Sequence, residues 1–446
     1  MNAQPINEWK GYEKIAFRFF FIYFLVQVFP VDWLYYQQVA AINWAHLRYG
    51  DIFLLAHYMP QFITGAQSFT GWGIVAGIAA IGTIIWTVVD KDRTGTYYNL
   101  HYWLRAIVRY RLAIAVIAYG FLKVFPLQSP YPSLSNLNTN YGDFTRWKLF
   151  SISLGIVPGY ESFLGVVEVI AGLLLLNRKT ASVGAVFILL FTGNVFMSNI
   201  AYDGGEVVYS LYLIVLALFV LSWDLQRIIT LLVLQRPATA NHFRPVFTAK
   251  WQVYARWGLK AFAVFFFVLL YSFKTASDYK SDPYQFPVSK GLAKAAGIYN
   301  VSYFRINADT IAYSKYDPVR WQDVVFEEWN TISIKSNRPV HIDSNNVERI
   351  EAADVNRTYE LEGTIGRHYY SYTVDTANRV LTLQNKNKFY KNEQWQLHYI
   401  RANDSTIQLY GVNENKDSVF ATLQQINKKY LLKEVESAGR SKSLKL

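Results

Sequence analysis

The 446-residue sequence contains no cysteine. That removes structural disulfides, thiolate nucleophiles, Cys-ligated metals and CxxC redox chemistry in one step, and it leaves the compartment unread. There are seven histidines, and none pairs with another inside an apolar run. His46, His57 and His101 each stand alone, which argues against a bis-histidine haem. The chain also lacks a GxGxxG, a GxxxxGK[ST], a zinc-ligand cluster and a GxSxG elbow, so the dinucleotide, P-loop, zinc and hydrolase signatures are missing. No internal repeat is visible. The amino-terminal run MNAQPINEWKGYEKIAFRFFFIYFLVQVF has no small-residue cleavage site and reads as an uncleaved first span.

Charge is scarce and unevenly placed. Residues 1–276 carry 21 Lys and Arg against 12 Asp and Glu, whereas 277–446 carry 23 against 20, within a net charge of +12. A nucleic-acid binder concentrates its bases on one soluble face. Here the excess belongs to the apolar half, so the expected partner is a lipid bilayer and no nucleic acid is expected.

What the first 276 residues do contain is long apolar runs. Seven are long enough for a bilayer core of about 30 Å, which takes roughly 20 helical residues. They lie near 15–31, 71–89, 103–125, 158–176, 181–200, 207–223 and 254–273. The aromatic-rich segment 32–70 reads as interfacial or folded back on the bundle. With the amino terminus in the cytoplasm, inner flanks hold 16 Lys and Arg and outer flanks hold five, Arg48, Lys123, Arg146, Lys148 and Lys274. Under the positive-inside rule this orientation places the carboxy-terminal part outside the cytoplasm, in the periplasm of a bacterial inner membrane.

After Asp278 the pattern switches to period two. GIYNVSYFRIN, DTIAYSKY, WQDVVFE, NTISIKS, TYELEG, HYYSYTVD, RVLTLQN, WQLHYIR, STIQLYG and DSVFATLQQI are short alternating runs divided by turn residues. The fold class expected is therefore a membrane α-helical bundle of about seven helices, residues 1–276, followed by an all-β extracytoplasmic domain, residues 277–436. That domain reads as an antiparallel barrel or sandwich. Residues 437–446 read as a disordered tail. Trp321, Val324 and Phe326 break strict alternation, which predicts a bulge or strand end there.

Within the fourth run, Glu161, Gly165, Glu168 and Gly172 follow Pro158 at steps of four, three and four. That spacing forms one helical stripe of alternating acid and glycine, with Val, Ile and Leu opposite. Small residues let a second helix approach closely, and acids at membrane depth face a bundle interior. The third run offers Arg105, Arg109, Leu112, Val116, Gly120 and Lys123 on one stripe, with Arg111 beside it. Matched depths set Glu161 near Lys123 and Glu168 nearer Arg111 or Arg109. Two readings follow: buried salt bridges that fix helix register, or a proton-handling or head-group-binding acid. In FTGNVFMSNIAYDGGEVVYSLYL, Asn194, Ser198 and Asn199 are read as sharing a face, with Asp203 and Glu206 at the outer mouth. The loop HFRPVF (242–247) reads as solvated or headgroup-bound.

YGFLKVFPLQ, followed by a long loop and FLGVVEVIAGLLLLNRKT, resembles the DoxX-like membrane proteins. The similarity covers 101–223 and extends through NVFMSNIAYDGGEVVYSLYLIVLALFVLSWD. The longer arrangement also resembles the broader superfamily containing the vitamin K-dependent carboxylase-like transmembrane proteins, and the β part has a lipocalin-like flavour. The resemblance implies a four-helix membrane core linked to quinone-dependent or thiol redox complexes, with Gly120, Lys123, Glu168 and Gly172 as family-like positions. Three functions are weighed on this basis. The first is an accessory subunit, without catalytic activity of its own, that binds a quinone or phospholipid and serves a redox or envelope complex. The second is a membrane-anchored β module engaging a membrane or periplasmic partner protein, a peptide or a lipid. The third is an intramembrane carboxylase-like enzyme.

Overall fold

The computed structural model describes residues 9–62, 68–90, 97–238, 249–281, 289–342 and 363–438. The loop 242–247, the run TYELEG up to Glu362 and the tail from 439 lie outside them. The chain divides into two compact units. One comprises residues up to Phe125, Tyr160–Ala201 and Glu206–Asp278, and the other Pro126–Gly159, Tyr202–Gly205 and Tyr279 onward.

The first unit is helical. Its elements are α1 (Gly11–Val28), α2 (Trp33–Ala41), α3 (Tyr49–Ala56), α4 (Phe69–Val89) and α5 (Tyr98–Val124). After α6 (Leu134–Leu137) and α7 (Arg146–Gly155), which belong to the second unit, come α8 (Pro158–Leu176), α9 (Ala181–Ala201), α10 (Val207–Ser222) and α11 (Leu225–Ile228). The last is α12 (Lys250–Val264), which runs through a π-helical stretch, Phe265–Leu270, into α13 (Tyr271–Ser281). Among the described residues five helical stretches are long and apolar enough to cross a membrane: Gly11–Ala41, Phe69–Val89, Pro158–Leu176, Ala181–Ala201 and Lys250–Ser281. Val207–Ser222 with Leu225–Val233 forms a pair bent by 72°. Helix α5 is 27 residues long but carries too many cations to qualify by composition. Beside the expected seven, the described residues thus show five such stretches and a bent pair, and α5 is a long helix that carries several cations.

Side-chain distribution in this unit is inverted relative to a water-soluble bundle. On α8 the buried positions include Glu161, Gly165, Glu168 and Gly172, whereas Phe163, Val166, Ile170 and Leu173 are exposed. On α4, Ile81, Ile84, Ile85, Val88 and Val89 are likewise exposed. Large apolar side chains outside and small or polar ones inside suit hydrocarbon as the solvent. The segment after α1 folds back on the bundle, with Ile52, Ala56, Tyr58 and Met59 buried. Arg18 ties α1 to α4 and to the start of α5: its guanidinium donates to Asp90 at 2.6 Å, Thr87 at 2.8 Å and the Tyr97 hydroxyl at 2.6 Å.

The second unit is built on a closed antiparallel barrel. Its strands are β1 (Gly297–Ile306), β2 (Asp309–Thr310), β3 (Asp323–Phe326), β4 (Thr331–Lys335), β5 (His368–Asp375), β6 (Val380–Asn385), β7 (Gln394–Asn403), β8 (Thr406–Val412) and β9 (Ser418–Gln425). Each pairs with its neighbour in the order 2-1-3-4-5-6-7-8-9, and β1 also pairs with β9, so eight strands close a ring and β2 is a short ribbon on β1. The choice between barrel and sandwich resolves to the barrel. DTIAYSKY contributes only Asp309–Thr310 as strand, and Trp321 precedes β3, stacking on Trp395 at 5.2 Å. Helix α14 (Leu431–Ala438) carries two residues of the expected tail.

Alternation fills the barrel with side chains. Val324 and Phe326, Ile332 and Ile334, Tyr370 and Tyr372, Leu381 and Leu383, and Ile407 and Leu409 join one buried core. On β1 the inward set passes from Tyr299 and Val301 to Phe304, because a register shift between Val301 and Tyr303 inserts one residue. Outside the barrel, Glu327 accepts hydrogen bonds from the Leu134 and Ser135 amides at 3.0 and 2.7 Å and from the Ser135 hydroxyl at 2.6 Å. That carboxylate fastens the 126–159 excursion to the strands.

Near one barrel end Glu393 is 4 % exposed. It accepts from both terminal nitrogens of Arg338 at 2.8 and 3.0 Å, from Tyr370 at 2.6 Å and from Asn385 at 2.9 Å. His368, 2 % exposed, lies close to this group. Burial, reinforced by the Arg338 guanidinium, pushes its imidazole down from 6.5 to about 4. The neutral ring is thus the folded form, and the unfolded chain takes up the proton first. Stability carried by His368 is complete above pH 6.5 and drains away as pH falls towards 4, a loss of about 3 kcal/mol. Unfolding of the full chain measured between pH 7 and 4 should fall less steeply for His368→Gln than for wild type. Parallel curves would show that His368 does not drive the loss.

Candidate functional site

Helices α5 and α8 run antiparallel in close contact. A Cβ on Gly120 would lie 2.9 Å from the Val169 amide nitrogen and 3.0 Å from the Gly165 carbonyl oxygen. One on Gly165 would meet the Val124 amide and, at 2.5 Å, the Gly120 carbonyl. One on Gly172 would meet Ile117 Cγ1 at 2.5 Å and the Ala113 carbonyl at 3.2 Å. The three glycines therefore set the distance between the two backbones.

That spacing brings Lys123 Nζ to 2.6 Å from Glu168 Oε1, with Lys123 9 % and Glu168 6 % exposed. The ammonium also lies 5.3 Å from the centre of the Phe191 ring on α9. Glu168 Oε2 has no hydrogen-bond partner among the described residues. The expected pairing of Glu161 with Lys123 and of Glu168 with Arg111 or Arg109 is therefore corrected. The Lys123 carbonyl carbon lies 2.8 Å from where a Gly165 Cβ would be, so the lysine starts between the two acids and its side chain reaches Glu168. Glu161, 1 % exposed, lies about two turns before Glu168 towards the start of α8.

The arginines of α5 point elsewhere. Arg111 is buried and donates to the Ala56 and Tyr58 carbonyls, the first at 2.6 Å, and to the Tyr209 hydroxyl at 3.4 Å. It thereby caps the end of α3. Arg109 is half-buried, with Tyr110 under its guanidinium. Arg105 pairs with Asp224 at 3.0 Å.

The pair Asn194 and Asn199 is separated: Asn194 is exposed and Asn199 is 2 % exposed. Five residues span 500° of α-helix, which turns the second side chain 140° from the first. Asn199 Oδ1 accepts from the Glu206 amide at 3.1 Å. Asp203 and Glu206, expected at an outer mouth, have different partners. Asp203 belongs to the second unit, exposed and 3.3 Å from Arg146. Glu206 belongs to the helical unit, where it accepts from Tyr119 at 3.1 Å and lies 3.4 Å from His57 Nε2.

His57 is thus one member of a polar cluster. Its ring centre is 4.0 Å from that of Tyr209 and 5.6 Å from that of Tyr119. Tyr119 lies on α5 one turn before Lys123. Sequence reasoning missed this cluster, since 149 residues separate His57 from Glu206. The usable signal was the aromatic density of the segment before α4. Among the described residues no three His, Asp or Glu side chains converge as for a metal ion.

Comparison with protein-family models, with curated proteins and with solved structures finds no match for the chain.

Proposed function

We propose that the helical unit is the membrane part of a DoxX-like accessory subunit that binds the polar head of a quinone-type or phospholipid ligand beside Lys123 and Glu168. The observation that carries this reading is the buried carboxylate oxygen, Glu168 Oε2, left without a partner. A buried acceptor without a donor costs about 1–3 kcal/mol, and a ligand hydroxyl or ammonium next to it removes that cost. Lys123 spends one donor on Glu168 and has others for a carbonyl or phosphate oxygen. A quinol, which offers a hydroxyl, or an ethanolamine phospholipid, which offers both groups, fits better than a purely accepting quinone. In this reading about seven helices span a bacterial inner membrane with the amino terminus in the cytoplasm. The barrel is periplasmic and contacts a redox or envelope partner.

The test is extraction of the full chain from native membranes into lipid discs, with mass spectrometry of retained quinones, lipids and proteins. One ligand class should be enriched in wild type and reduced by about tenfold or more in Glu168→Gln. Equal retention by the variant would leave Glu168 as a lock between helices only.

A further inference from the structure

Side chains of the described strands fill the barrel interior, which leaves its mouths as the concave places. One mouth is closed by the residues just before β1. Leu292 and Ala295 enter the core. The Leu292 amide donates to the Tyr372 hydroxyl at 2.8 Å and the Gly291 amide to the Glu328 carbonyl at 3.1 Å. Gly291 has no room for a side chain, since a Cβ would lie 2.7 Å from the Trp329 carbonyl oxygen and 2.9 Å from the Tyr372 hydroxyl. Arg401 clamps the same plug by donating to the carbonyls of Ala293 and Lys294, the latter at 3.3 Å. The plug is a fixed wall.

Between this wall, the β5–β6 turn and the end of β7 lies a cleft of about 610 Å³. Among the described residues it is lined by Leu292, Val374 and Tyr399 and by the cations Lys290, Arg379 and Arg401, and by no carboxylate. Lys290 and Arg379 are exposed, and neither makes a side-chain hydrogen bond or ion pair among the described residues. The nearest acid in sequence, Asp375, is committed to its own turn, accepting from the Ala377 and Asn378 amides at 3.0 Å and from the Asn378 side chain at 2.7 Å. Arg379 is held there at φ +57°, a conformation that glycine or asparagine adopts at lower cost.

We infer that this cleft binds an oxyanion, carboxylate or phosphate, carried on a short apolar stem. Arg379 and Lys290 grip the oxygens while Val374, Leu292 and Tyr399 hold the stem. The guanidinium fork matches two oxygens of either group, and a volume of this order is typical of small-molecule sites. The inference is independent of the site at Lys123 and Glu168, because it uses only groups of the barrel unit.

The full chain in discs of zwitterionic lipid is titrated by calorimetry with decanoate, decyl phosphate and inorganic phosphate, and is mixed separately with phosphatidylglycerol vesicles in a flotation assay. Saturable binding is expected for the two tailed anions and weaker binding for inorganic phosphate. Arg379→Asn, which keeps a residue tolerant of the left-handed turn, and Lys290→Gln should each weaken it by about tenfold or more, and Lys290→Arg should retain it. Flotation without binding of the soluble anions would identify a lipid surface as the source of the same head group. The inference is overturned if no probe binds, or if Arg379→Asn and Lys290→Gln, with unchanged unfolding temperatures, bind as wild type does.

Discussion

Lys123→Met is expected to destabilise the helical unit by about 3–5 kcal/mol, and adding Glu168→Leu should recover most of that loss. The single change strands a carboxylate that is only 6 % exposed between two helices held together by glycines. The double change removes both charges and leaves apolar groups of similar volume, an exchange that is often neutral or favourable. Hydrocarbon around the bundle gives the stranded acid no better solvent. Unfolding curves of wild type, both single variants and the double variant in lipid discs supply the coupling energy. Additive effects would mean that the 2.6 Å contact does not couple the two residues. Glu168→Gln separates the remaining question, because it keeps the shape of the acid and abolishes its charge.

The second large effect concerns Gly165. Gly165→Ala should cost about 1–3 kcal/mol and reduce ligand retention, whereas Gly172→Ala should cost less. Alanine is the better helix former by about 1 kcal/mol, so packing decides the sign. At Gly165 the added methyl meets the backbone of α5, the Val124 amide and the Gly120 carbonyl, which cannot move without separating the helices. At Gly172 the closest atom is Ile117 Cγ1, a side-chain atom, and the nearest backbone atom, the Ala113 carbonyl oxygen, is farther off at 3.2 Å. Unfolding temperatures of the two variants in the same discs settle the order, and a reversal would place the α5–α8 contact elsewhere.

The β domain was legible because alternation records burial directly: HYYSYTVD is β5 from end to end. DTIAYSKY alternates equally well but forms only two residues of strand, since nothing pairs with its second half among the described residues. In the helical unit the stripe of Glu161, Gly165, Glu168 and Gly172 was readable from spacing, and all four are buried. The ion partner was not readable. Matching depths along two helices needs their crossing and offset, and both are set by which glycine faces which backbone atom. His57 shows the same limit in another form, since its neighbours Glu206 and Tyr209 lie on a helix far along the chain.

The closure of β1 on β9 limits how this domain can meet another protein. An open sheet offers a row of unpaired amides and carbonyls onto which an extended peptide can add as a further strand. Here each of the eight ring strands already has a neighbour on both sides, and the exception is β2, two residues long. A peptide or envelope protein engaging the barrel must therefore be recognised through side chains on its loops and mouths. Variants that preserve the loops but alter strand backbones should not change partner choice.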